Sequence, residues 1–127
     1  MLQLSGRAFN TRTFHRWADK AGVTDTALLD AMVRMERGLI DADLGGYLYK
    51  QRVALPGRGK SGSTRTIIAR WFAGVLFFLY GFEKSHRDNI SAKELVLYQR
   101  LARGFLDMTE AQIATALAAQ VLMEVRR

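Results

Sequence analysis

Two runs of β-branched and aromatic residues, "TRTIIARWF" (64–72) and "VLFFLYGF" (75–82), stand back to back with only Ala73-Gly74 between them. Composition of this kind favours extended chain, and a two-residue connection leaves the runs no partner nearer than each other, so they are expected to form an antiparallel hairpin. The apolar stretch from Trp71 to Phe82 is 12 residues long, too short for a bilayer span. Upstream, "YLYKQRVA" (47–54) alternates, with Leu48, Lys50, Arg52 and Ala54 on one face and Tyr47, Tyr49, Gln51 and Val53 on the other. Three consecutive antiparallel strands follow.

The flanking segments carry the other period. Asn10-Thr11 offers caps ahead of Phe14, Trp17, Ala18 and Ala21, with Gly22 placed to end that helix. Thr24-Asp25 opens a second helix with Leu28, Ala31, Met32, Met35 and Leu39 on one stripe, and the two are expected to form a hairpin. Before them, Arg7-Ala8-Phe9 reads as a short strand, and "DADLGG" (41–46) as a turn-rich break. Toward the C-terminus, Ser91-x-x-Glu94 and Thr109-x-x-Gln112 are capping boxes. The first precedes Leu97, Tyr98, Leu101 and Phe105, the second Ile113, Ala114 and Leu117, and "VLMEV" is a last strand or an extended tail. The expected class is α+β, one domain over residues 1–127: a helical hairpin packed on a twisted antiparallel sheet, with C-terminal helices.

The sheet segment is also where the charge sits. The chain carries a formal charge of +7, and from Leu44 to Phe82 there is no Asp or Glu, whereas Lys50, Arg52, Arg58, Lys60, Arg65 and Arg70 all lie inside. Such a segment attracts polyanions if its cations share a surface. There is no cysteine, which excludes disulfides and thiolate chemistry. No signal-peptide pattern opens the chain, and a cytoplasmic protein without membrane contact is expected.

"PGRGKSGSTRT" (56–66) places Gly57, Gly59 and Gly62 in G-x-G-x-x-G spacing. A dinucleotide fingerprint requires a helix next, so that the pyrophosphate meets its N-terminus, but β-rich chain follows. A phosphate-binding P-loop requires glycine five residues before Gly59-Lys60-Ser61, where Ala54 stands. The stretch is therefore a strand connection presenting Arg58, Lys60 and Ser61, flanked by Lys50 and Arg52 on one strand and Arg65 on the next. Arg65 begins a row otherwise made of Ile67, Ala69 and Trp71, where a cation wants an anionic partner or water. Arg70 faces the opposite way.

No carboxylate lies between Asp43 and Glu83, and His15 and His86 lack ligand spacing, so no metal or other cofactor is expected. RNA carries its own nucleophile in the 2'-hydroxyl. A cleaving protein need only orient it, move protons and neutralise the phosphorane, and cations do the last without a metal. Lys50, Tyr80 and His86 are the candidate proton carriers, and the residues alone do not choose among them. Alternation along the last strand puts Phe78, Tyr80 and Phe82 on one face, which gives Tyr80 a core reading as well.

The blocks "LIDADLGG", "KQRVA", "GRGKSGSTRTII", "FFLYGFEKSHRDNIS", "KEL" and "LMEV", in this order from about Phe9 to Val125, resemble one branch of the bacterial RelE/HigB-like toxins of type II toxin–antitoxin systems. The resemblance implies a RelE-like fold and a metal-independent endoribonuclease that enters the ribosomal A site, cuts translated mRNA and is silenced by a cognate antitoxin. It implies site roles for Lys50, Arg52 and Arg65 on the strands and for Lys84 just after them, with Arg87 as a further RNA contact. Fold alone does not fix activity. A ParE-like toxin acting on DNA gyrase without cutting RNA, and a plain basic nucleic-acid-binding module, are the alternative readings.

Overall fold

The computed structural model describes residues 6–55, 64–71 and 74–126. The glycine-rich connection, with Arg58, Lys60 and Ser61, lies outside these, as does Ala73. The elements run β1 (Ala8–Thr11), α1 (Arg12–Ala21), α2 (Asp25–Glu36), β2 (Ala42–Gly45), β3 (Leu48–Val53), β4 (Thr64–Arg70), β5 (Leu76–Glu83), α3 (Ala92–Leu106), α4 (Glu110–Ala118) and β6 (Leu122–Glu124). One six-stranded sheet has the order β2-β3-β4-β5-β1-β6, and among the described residues its only parallel pair is β1 with β5. The expected α+β class and the β3-β4-β5 antiparallel meander are both present.

The sheet is the middle of three layers. On one face Phe14 and Ala18 of α1 and Leu28, Ala31, Met32 and Met35 of α2 pack with Val53, Ile68, Leu76 and Phe78. On the other, Ala102 of α3 and Ile113 and Ala116 of α4 pack with Phe9, Leu48, Ile67, Ala69, Phe77 and Leu122. Each layer is anchored by stacked phenylalanines: Phe14 on Phe78 at 5.3 Å on one side, and Phe9, Phe77 and Phe105 in series at 5.5 and 5.2 Å on the other. Full burial of each such ring stabilises by roughly 1.5–3 kcal/mol, and ring pairing adds about 0.5–1.5.

Local chemistry explains the boundaries. Thr11, Thr24, Ser91 and Thr109 each cap a helix by accepting a backbone N–H three residues on, and the last two form the full reciprocal box. Gly22 ends α1 in the left-handed conformation at φ 79°, which costs a glycine nothing.

Several expectations need correction. The first strand runs through Thr11 rather than ending at Phe9, and Asn10 is a buried strand residue, not a cap. "DADLGG" is more than a break: Ala42–Gly45 forms an edge strand with an irregular register against β3. Leu39 lies beyond α2 and is exposed. On α3 the inward side chains are Leu95, Tyr98, Ala102 and Phe105, while Leu97 and Leu101 face out; on α4 Ala114 is exposed and Ala116 buried.

The most consequential correction is in β5. Ile67 of β4 stands opposite Tyr80, but the next residue, Ile68, stands opposite Phe78, so Leu79 is an extra residue in the strand. This bulge resets the side-chain phase. Phe78 stays with α1 and α2, whereas Leu79, Tyr80 and Phe82 belong to the face of α3. Phe78 and Tyr80 therefore do not share a face.

On the α1 side the vacated place is Gly81, whose φ is unexceptional. A Cβ there would lie 2.1 Å from the Trp17 ring. The glycine is required for close approach of the helix rather than for backbone freedom. Gly81→Ala is expected to lower unfolding stability by about 1–3 kcal/mol, as overpacking does, and to change Trp17 fluorescence as its ring is displaced; urea denaturation followed by fluorescence checks both.

Candidate nucleic-acid interface

Register decides which cations meet. Lys50 pairs with Ile67 and Ile67 with Tyr80; one row further along, Arg52 pairs with Arg65 and Arg65 with Phe82. Leu48, Lys50 and Arg52 share one face of β3, and Arg65 and Ile67 share that face on β4, because Leu48 and Ile67 both enter the core under α3. The bulge adds Tyr80 to the same face. Lys50 and Tyr80 are two strands apart, about 10 Å between backbones, a gap that both side chains can reach into from opposite sides. Arg52 and Arg65 are direct neighbours, an arrangement of like charges that a sheet ordinarily avoids because it is destabilising.

Buried polar groups on the reverse face hold this register. Gln51 is fully buried, yet its Oε1 accepts the Asp41 N–H at 3.0 Å and its Nε2 donates to the Leu39 carbonyl at 2.9 Å. Thr66 donates to the Gln51 carbonyl at 2.8 Å and Thr64 to that of Val53 at 3.1 Å. Buried polar atoms need such partners, so a one-residue slip of β3 would orphan all three side chains at once. Arg52 is clamped through its backbone: its N–H donates to Asp41 Oδ2, and its carbonyl accepts from Arg34 Nη2 at 2.6 Å.

Beyond Tyr80 the chain turns and Arg87 comes back over the strand end. Its guanidinium lies 5.8 Å from the ring centroids of both Tyr80 and Phe82. Nη1 donates to Tyr80 Oη at 3.1 Å, and the fork is closed by Glu94 of α3, with Nη1 3.1 Å from Oε2 and Nη2 donating to Oε1. Tyr98, one turn further along α3, stacks on Tyr80 at 5.4 Å. Burial pushes the Tyr98 phenol up, with the neighbouring Tyr80 adding to the effect. Glu94 holds Arg87 firmly charged, and Arg87 in turn, followed by the Ser91 N–H, draws the Glu94 carboxyl down to about 2.

The remaining expected positions fall nearby. Lys84 is exposed in the turn after β5. His86, in the same turn, has Nδ1 3.7 Å from Glu83 Oε2 and borders a cleft of about 360 Å³ shared with Trp17, Tyr80, Phe82 and Arg87. The cleft is lined from the side of α1 by Thr13 and Phe14 as well. Arg70 lies toward the far end of β4, opposite Leu76. Among the described residues no cluster of His, Asp or Glu could hold a metal ion, and no helix is long and apolar enough to cross a membrane.

Sequence reasoning missed Glu94 and Tyr98 as members of this surface. Glu94 was visible only as the closing residue of a capping box, and Tyr98 only as one more apolar-stripe residue.

The Glu94 carboxyl supplies a pH test. Its folded value lies below the ordinary 4.5, so it contributes stability that is complete above 4.5 and is lost as pH falls toward about 2. In urea titrations the wild type should exceed Glu94→Gln in stability at pH 6, and the difference should close over that acid range.

The sequence profile of the RelE toxin of the RelE / RelB toxin–antitoxin system matches residues 6–125. No curated protein sequence matches the chain closely enough to count as a relative. With the profile covering nearly the whole chain, from β1 through β6, this protein belongs to the RelE toxin family of toxin–antitoxin systems.

Proposed function

We propose that the toxin is a metal-independent, ribosome-dependent mRNA endoribonuclease acting in the bacterial cytoplasm. The observation that carries this reading is the pair of adjacent cross-strand rows, Lys50–Ile67–Tyr80 and Arg52–Arg65–Phe82, on one face of the sheet. A phosphodiester laid across them meets cations from two strands and a phenol from a third.

In the proposed reaction the 2'-oxygen attacks phosphorus, the P–O5' bond breaks, and the products are a 2',3'-cyclic phosphate and a 5'-hydroxyl. One proton leaves the 2'-hydroxyl and one reaches O5'. Lys50 and Tyr80, on either side of Ile67 in one row, are the proposed carriers, with His86 as the other candidate. Arg52 and Arg65 neutralise the phosphorane, a task worth a large share of the barrier where donors are fixed in advance. Lys84 and the connection residues Arg58, Lys60 and Ser61 extend the contact along the RNA backbone. The partners are translated mRNA in the ribosomal A site and a cognate antitoxin.

Primer extension on a defined mRNA, with and without translating ribosomes, tests this reading directly. Cuts confined to codons under translation are expected. Lys50→Ala with Arg65→Ala should lower cutting by about 10²–10³-fold while ribosome binding persists. Cutting that survives in the double variant would reject the site, and a folded wild type that cuts nothing would shift the reading to gyrase inhibition or simple nucleic-acid binding. Independently, binding to single-stranded RNA should weaken with salt along a log–log slope of roughly −3 to −4, about 0.7 for each of some five cations.

A further inference from the structure

Arg87 is fully committed within the protein. Nη1 serves both Tyr80 Oη and Glu94 Oε2, Nη2 serves Glu94 Oε1, and Nε donates to the Asn89 carbonyl at 3.0 Å. A guanidinium holding a carboxylate with its fork cannot offer that same fork to a phosphate. Glu94 is in turn fixed from behind, because Oε1 also accepts the Ser91 N–H at 2.8 Å at the start of α3.

Two consequences follow for Tyr80. Arg87 has no acceptor, so the Tyr80 hydroxyl receives its hydrogen bond there and must send its own hydrogen elsewhere. The ring is stacked on Tyr98 at 5.4 Å, and Lys50 stands in the same cross-strand row, so the donated hydrogen is available to a group in that row. Glu94 itself is an anion on a face that attracts RNA, and on binding grounds alone it is unfavourable.

We infer that Glu94 is a positioning residue: by clamping Arg87 it fixes the Tyr80 hydroxyl as a hydrogen-bond donor toward the Lys50 row, and it withholds Arg87 from contact with phosphate. The first half rests on the ribonuclease reading; the second does not.

Glu94→Gln is a clean probe because glutamine also completes a capping box, so the helix start is kept while the charge is removed. Affinity for a single-stranded RNA oligonucleotide should be measured against salt for the wild type, Glu94→Gln and Glu94→Gln/Arg87→Ala, with circular dichroism melts to show that each is folded. Released from its carboxylate, Arg87 should reach phosphate, steepening the log–log slope by about 0.7 in Glu94→Gln, and the increment should vanish in the double variant. Single-turnover cutting on translating ribosomes should fall about tenfold or more in Glu94→Gln, and Tyr80→Phe should fall comparably without any change of slope. Because the two act through one hydroxyl, adding Glu94→Gln to Tyr80→Phe should cost little more.

An unchanged salt slope in Glu94→Gln overturns the withholding of Arg87, whether or not the protein cuts RNA. Fully additive losses in Glu94→Gln/Tyr80→Phe overturn the positioning of Tyr80. A steepened slope in a protein whose wild type cuts nothing supports the clamp and rejects only the ribonuclease reading.

Discussion

The architecture of the interface depends on one extra residue in β5. Strand geometry sends neighbouring side chains to opposite faces, and this strand must satisfy three demands: Phe78 under α1, Phe77 under α3, and Tyr80 on the side of Lys50. A regular strand would meet the first two and send Tyr80 under α1 with Phe78. The bulge at Leu79 satisfies all three, and it falls where β1 stops pairing, since the last β1–β5 partners are Asn10 and Phe78. Beyond that point β5 has β4 on one side only, which lets the irregularity form without disturbing a second ladder.

Stability has been arranged around the cationic surface rather than through it. Arg52 directly opposite Arg65 opposes pairing of β3 and β4, and the compensation lies on the reverse face, where Gln51, Thr64 and Thr66 are buried and bonded. The phenylalanine stacks, of Phe14 on Phe78 and of Phe9, Phe77 and Phe105, lie further along the sheet. The half of the sheet that packs and the half that carries charge are thus separated along the strands as much as across them, and Ile67 is where the two meet.

Much of this was legible from the residues. Period-two alternation in 47–54 put Lys50 and Arg52 on one face, and the position of Arg65 at the start of an apolar row marked it as a cation needing an explanation. Capping boxes located the starts of α3 and α4 to the residue. The bulge was not legible, because "VLFFLYGF" is apolar on both sides of the strand and so offers no break in pattern to mark a change of phase. The edge strand β2 was hidden because the stretch around it, "DADLGG", holds two glycines and two aspartates and reads as turn, although Asp43 does accept a hydrogen bond from the Gly45 N–H within the strand. The Arg87–Glu94 clamp was invisible for a different reason: it joins two segments across a turn, at a separation belonging to no regular element.

Trp17 lies against the backbone of Gly81, between Tyr80 and Phe82. The first helix of the chain is thereby seated on the strand end that carries the interface, and residues from four separate segments, around 17, 50, 65 and 80, must come together before the rows exist. An emerging polypeptide that has been synthesised through Arg65 already possesses most of the charged side chains but none of their geometry. The paired rows are a property of the completed tertiary structure, withheld from every shorter intermediate by the order in which its parts leave the ribosome.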